Sequence, residues 1–123
     1  SCGNQVIALF GCGGNRDKTK RSEMGAVCAK YADRLVVTSD NPRFENPYDI
    51  IEDIKKGLDN SAMAKSIFIC DRAEAIRTAI MTAPKGAIVL LAGKGHEDYQ
   101  EIKGVKYHFD DREEIEKAFE ELN

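Results

Sequence analysis

The chain has 123 residues, 42% apolar and 32% charged, with a net charge of −3, which describes a globular domain with its own core and excludes a disordered segment. Acids and bases are interspersed without a basic stripe, so nucleic acid is not an expected partner, and no apolar run nears the roughly 20 residues that span a membrane. Cys2, Cys12, Cys28 and Cys70 form no CxxC and have no histidine or cysteine at zinc spacing, which points to free thiols in a reducing cytoplasm and to no metal site.

The N-terminus SCGNQVIALFG lacks a signal peptide's charged region and cleavage site, and it enters a strand almost at once, as a piece cut from something longer would. Residues 5–11 are a continuous apolar run, the mark of a strand buried on both faces. A glycine-rich basic loop, CGGNRDKTKRS, follows over 12–22. Residues 23–33 then read as a helix with Met24, Val27, Cys28 and Tyr31 on one face. A second short strand spans 35–38. Asn46 reads as an N-cap with Pro47 at the first helical position, and that helix turns Ile50, Ile51 and Ile54 inward and ends near Gly57. A third strand, SIFIC, covers 66–70, and Asp71 with Glu74 starts a helix through Thr82. After a turn at Pro84-Lys85-Gly86, AIVLLA is a fourth strand. Glu101-Ile102 and Val105–Phe109, joined by Lys103-Gly104, read as a hairpin, and Asp111 with Glu114 opens a last helix to Leu122. Strands alternating with helices imply a mostly parallel sheet covered on both faces, with the hairpin adding an antiparallel edge. No repeat or linker divides the chain, so residues 1–123 are expected to form a single domain.

Ligands of an open parallel sheet bind beyond the carboxyl ends of its strands. Three unusual loops leave those ends: GCGGNRDKTKR, SDNPR and AGKGHEDYQ. The first is not a nucleotide loop. A dinucleotide fingerprint would need glycine where Arg16 stands, and a Walker A loop would need glycines where Cys12 and Asp17 stand. It reads either as a glycine-rich turn or as backbone that approaches a ligand with Arg16 facing it. In the second loop, Pro42 fixes its own φ and pushes Asn41 out of the helical region, while Asp40 and Asn41 bond to nearby backbone. Arg43 is therefore presented from a stiff loop. It suits bidentate capture of a carboxylate or phosphate, or else is a solvated turn residue. The third loop offers Lys94, His96, Glu97 and Asp98. Adjacent residues cannot all converge on one metal, and His96 is open between a general base and a surface histidine. Two arginines and a glutamate on separate loops would form a receptor for a zwitterion such as an amino acid, provided the loops are neighbours.

GCGGNRDKTKR, DNPR and AGKGHEDYQ, in that order and each after a strand, closely resemble the C-terminal domain of the Mur ligases, in particular the MurE branch, over essentially the whole chain. The resemblance implies a Rossmann-like α/β domain with a mainly parallel six-stranded sheet. It implies the third domain of a longer three-domain ligase that adds an amino acid to UDP-N-acetylmuramoyl-L-alanyl-D-glutamate in bacterial peptidoglycan synthesis. ATP and Mg2+ would be bound mainly by a central domain that this sequence lacks, and the chain alone would be inactive. DNPR implies meso-diaminopimelate as the incoming amino acid. On that pattern Asn41 and Arg43 contact the diamino acid, Arg16 binds its carboxylate, Gly93 and Glu97 hold its distal end, and Asp40 and Pro42 shape the loop. No residue here is expected to be catalytic. A lysine- or lanthionine-adding enzyme, a folylpolyglutamate-synthase-like ligase and a stand-alone ligand-binding module are the alternatives.

Overall fold

A computed structural model describes residues 5–92 and 97–122. Its elements in chain order are β1 (Val6–Phe10), α1 (Thr19–Tyr31), β2 (Arg34–Val37), α2 (Pro47–Lys55), α3 (Asn60–Ala64), β3 (Ser66–Phe68), α4 (Arg72–Thr82), β4 (Ile88–Ala92), β5 (Tyr99–Ile102), β6 (Val105–His108) and α5 (Asp111–Leu122). Cys2, Gly93, Lys94, Gly95 and His96 lie outside the described residues.

Four strands form a parallel sheet in the order β3-β2-β1-β4. The chain winds outward from β1 through β2 to β3, then α4 returns it to the other side of β1. The winding therefore reverses between β1 and β4, and the carboxyl ends of those strands open a crevice at that switch point. Side chains alternate across the sheet. Ile7, Leu9 and Val36 pack with Ala75, Ile76, Ala79, Ile80 and Ala118 of α4 and α5. Phe10, Leu35 and Val37 pack on the opposite face with Ile50, Ile51 and Ile54 of α2. Each buried Ile, Leu, Val or Phe among them contributes roughly 1.5–3 kcal/mol, so the two layers anchor the sheet from both sides.

Two of the three caps read from the sequence are formed. The Asn46 side chain accepts the Tyr48 N–H (2.9 Å), and Asp71 accepts those of Ala73 (3.0 Å) and Glu74 (3.4 Å). At α5 the capping side chain is Asp110, which accepts the Arg112 N–H (2.8 Å), while the expected cap Asp111 accepts from Arg72 (2.8 Å). Helix α1 differs from expectation. It begins at Thr19, because the Asp17 carboxylate accepts both the Thr19 N–H (3.0 Å) and its hydroxyl (2.7 Å). Of its expected apolar face, Met24, Val27 and Tyr31 are turned outward (37%, 55% and 72% exposed), and only Cys28 packs against the Phe10 layer. The buried stripe is instead Arg21 and Gly25, because a Cβ on Gly25 would lie 2.8 Å from the Ile54 carbonyl of α2. Backbone-close packing of α1 on α2 thus overrides the apolar pattern.

The hairpin also departs from expectation. The described residues hold four strands in the main sheet, with β5 and β6 as a separate antiparallel pair rather than an edge. Its turn, Lys103-Gly104, has φ of 51° and 81°, as a two-residue primed turn requires. The outer edge of β5 is used elsewhere: Arg43 pairs with Ile102 in a parallel bridge, its N–H donating to the Glu101 carbonyl (2.9 Å). Among the described residues no helix is long and apolar enough to cross a membrane.

Candidate amino-acid receptor site

The second loop leaves β2 and is buried from its first residue, Thr38, through Pro42. Its hydrogen bonds explain why polar residues sit there. Thr38 and Ser39 hydroxyls donate to the Cys70 carbonyl (3.2 and 2.7 Å), and Arg72 donates to the Ser39 carbonyl (3.1 Å). Gln100 donates to the Ser39 hydroxyl (3.0 Å) and to the Asp40 carbonyl (2.7 Å). Buried polar groups paired in this way cost little, and they make the loop rigid.

Asn41 is where the three loops meet. Only 2% of it is exposed. Its carbonyl accepts the Gly14 N–H of the first loop (2.7 Å). Its side-chain N–H donates to Glu97 of the third loop (3.0 Å), and its side-chain oxygen accepts the Glu101 N–H of β5 (2.8 Å). The neighbourhood that the zwitterion reading requires is therefore present. Gly14 has a steric role here, since a Cβ would drive into the Pro42 carbonyl.

Arg43 sits at φ 54°, a left-handed conformation that costs a non-glycine residue about 1–2 kcal/mol. Two backbone bonds to the hairpin hold it there: its N–H to Glu101 and its carbonyl from the Lys103 N–H. Its guanidinium donates to the Gly14 carbonyl (3.1 Å) and the Asn41 carbonyl (3.4 Å), and Nε lies 3.5 Å from the Glu101 carboxylate, with 17% of the side chain exposed. Arg16 comes alongside. A Cβ on Gly13 would meet Arg43 Nη1 at 2.9 Å and Arg16 Cγ at 3.4 Å. No hydrogen bond or ion pair occupies Arg16 among the described residues.

Of the residues singled out from sequence, Arg16, Asp40, Asn41, Pro42, Arg43 and Glu97 thus belong to one cluster at the switch point, while Gly93 and His96 lie outside the described residues. Sequence reasoning missed Arg21, Glu45, Asp53, Gln100 and Glu101, which frame the cluster. The signal for Arg21 was its spacing, four residues before Gly25, which is visible only once α1 starts at Thr19. Hydrogen bonds from Arg21, and then from the Asn15 N–H, hold the Glu45 carboxyl below the usual carboxylate range. Arg21 first, then Lys56, does the same to Asp53. Burial pushes the Cys12 thiol up to about 11, so it is not a nucleophile at neutral pH. The described residues hold no group of three or more metal-ligating side chains. The arrangement can bind and orient a carboxylate-bearing ligand. Among the described residues it holds no activated nucleophile for bond chemistry of its own.

Residues 1–95 match the family described as Mur ligase, glutamate ligase domain. The chain belongs to this Mur ligase domain family. Curated relatives are named UDP-N-acetylmuramoyl-L-alanyl-D-glutamate–2,6-diaminopimelate ligase. The Mur ligase domain is 58% identical over 115 residues to that of Bacteroides thetaiotaomicron, covering 94% of this chain and 24% of the relative. It is 52% identical over 118 residues to that of Chlorobaculum tepidum, covering 96% and 23%. A solved structure of a ligase with the same name superposes with a TM-score of 0.91 at 45% identity, over 97% of this chain and 24% of the other. The Mur ligase domain thus spans about a quarter of the length of these relatives.

Proposed function

We propose that this chain is the amino-acid-binding, C-terminal domain of a longer ligase acting in the bacterial cytoplasm. The ligase uses ATP to join meso-diaminopimelate to UDP-N-acetylmuramoyl-L-alanyl-D-glutamate in peptidoglycan synthesis. One observation carries the reading: the loops bearing Arg16, Arg43 and Glu97 are bonded together through Asn41 at the sheet's switch point. Two guanidiniums suit carboxylates, and a carboxylate beside them suits an ammonium group. Diaminopimelate carries a carboxylate and an amine at each end, whereas lysine lacks the second carboxylate. A site whose buried polar groups expect that carboxylate rejects the analogue without it. The relatives' printed names agree with this substrate.

ATP and Mg2+ do not fit the described residues. The first loop has Arg16 and Asp17 where a phosphate cradle needs glycine, and the carboxylate of Asp17 is spent on Thr19. In this reading the nucleotide, the metal and the acyl-phosphate chemistry belong to the parts of the ligase beyond this sequence. This domain holds the incoming amine.

The test is an amide-shift NMR titration of the chain with meso-diaminopimelate and, separately, L-lysine, with Arg43→Ala as control. Diaminopimelate is expected to shift the amides around Arg16, Arg43 and Glu97, lysine to leave them in place, and the variant to lose the response. Equal shifts with lysine would remove the specificity claim. Lanthionine, which keeps both carboxylates, is expected to behave as diaminopimelate does.

A further inference from the structure

Arg16 and Arg43 sit on loops that leave different strands, and the sheet alone does not set the distance between them. Arg21, the third residue of α1, is 1% exposed and ties both loops to α2. Its Nη1 donates to Asp53 of α2 (2.9 Å) and to Glu45 (3.1 Å), and its Nη2 donates to the second Glu45 oxygen (2.8 Å) and to the Gly13 carbonyl (3.1 Å). Glu45 in turn accepts the Asn15 N–H, and the Asn15 side chain accepts the Phe44 N–H (3.2 Å). The ring closes on the immediate neighbours of both ligand-reading arginines, Asn15 beside Arg16 and Phe44 beside Arg43.

We propose that Arg21 is the positioning residue of the receptor: it sets the spacing of Arg16 and Arg43, and so the span between the carboxylates that the site accepts. This rests on the diamino-acid reading of the site. A stability role explains the residue poorly. Well-packed apolar side chains often serve a buried position as well as an ion pair does, and the buried Arg21 Nε has no partner among the described residues. What a guanidinium supplies and an apolar group cannot is a planar fork that fixes two acceptors relative to one another. Lysine keeps the charge but has no fork, so it separates the two roles.

The experiment compares wild type, Arg21→Lys and Glu45→Gln in the full chain. Amide hydrogen exchange is measured without ligand, and meso-diaminopimelate is then titrated against each protein while its folded fraction is monitored. For Arg21→Lys, exchange at Asn15 and Phe44 is expected to quicken at least tenfold while the β1 and β2 amides keep their protection. Affinity for diaminopimelate is expected to fall at least tenfold per folded molecule. Glu45→Gln is expected to move both readouts the same way by less. Unchanged exchange at Asn15 and Phe44 would overturn the proposal. So would uniform acceleration of every amide, or an affinity loss accounted for by the unfolded fraction, since either marks a purely structural residue. If the wild type binds no diaminopimelate, the substrate reading falls, and the ligand-free exchange still decides whether Arg21 spaces the loops.

Discussion

Asn41→Asp changes one atom's chemistry at the point where three loops meet. The Asn41 amide donates to the Glu97 carboxylate at 3.0 Å. In the variant two carboxylates face each other at that separation. Left charged, they repel by about 5–6 kcal/mol at an effective dielectric of roughly 20. Taking up one proton costs about 1.4 kcal/mol for each pH unit above the ordinary carboxylate range near 4, or about 4 kcal/mol at pH 7. The second route is cheaper, and it restores a donor between the groups. The folded variant then holds one more proton than the unfolded chain, so its stability falls as pH rises. Urea unfolding of both proteins at pH 5, 6 and 7 is expected to give a penalty growing from about 1–1.5 to about 4 kcal/mol. A penalty independent of pH would refute the argument, because it would mean that the carboxylate does not depend on the Asn41 donor. Adding Glu97→Gln to the variant is expected to remove most of the pH dependence.

Arg72→Met leaves the Asp111 carboxylate without its fork (2.8 Å from both Nε and Nη2) and the Ser39 carbonyl without its donor, so urea denaturation is expected to show a loss of about 3–5 kcal/mol, part of which Asp111→Asn restores. Gly14→Ala forces a methyl group into the Pro42 carbonyl and is expected to cost about 1–3 kcal/mol, with amide shifts centred on 38–43 rather than on the strands. His108 lies 2.9 Å from the Glu113 carboxylate, whose hydrogen bond and charge raise its pKa above the ordinary 6.5. An NMR titration should place its midpoint above that value, and Glu113→Gln should bring it back. The linked stabilisation is present below pH ~6.5 and lost as pH rises through the raised value.

Much of the fold could be read directly from the chain. VIALF and IVLLA are unbroken apolar runs that mark strands of a parallel sheet, but only the first is buried on both faces: Ile88 and Leu90 of β4 are 46% and 54% exposed. Asn46-Pro47 and Asp71 are local caps whose partners lie within three residues, so their roles need no tertiary knowledge. The DNPR stiffness was legible for the same reason. What escaped depends on distant partners. Arg21 and Arg72 look like surface charges until the carboxylates 24 to 39 residues away are in place. The outward turn of Met24, Val27 and Tyr31 follows from Gly25 meeting Ile54, a contact no helical period encodes. Helix α3, only five residues long, was too short to show a period. The hairpin's turn was readable from Lys103-Gly104. Its destination was not, because the backbone that receives it belongs to Arg43.

That destination has a consequence for how the domain can diversify. The family match ends at residue 95, whereas the groups that pin Arg43 in its left-handed conformation come from Glu101 and Lys103. The loop that carries Arg43 is thus splinted by a ribbon outside the stretch that the family match covers. Among the described residues the ribbon shares no ladder with the parallel sheet, and its backbone bridge is to Arg43 in the loop after β2. Changes in hairpin length or register would re-aim the Arg43 guanidinium while both core layers stayed intact, so the amino-acid selectivity proposed for this loop could drift independently of the fold that carries it.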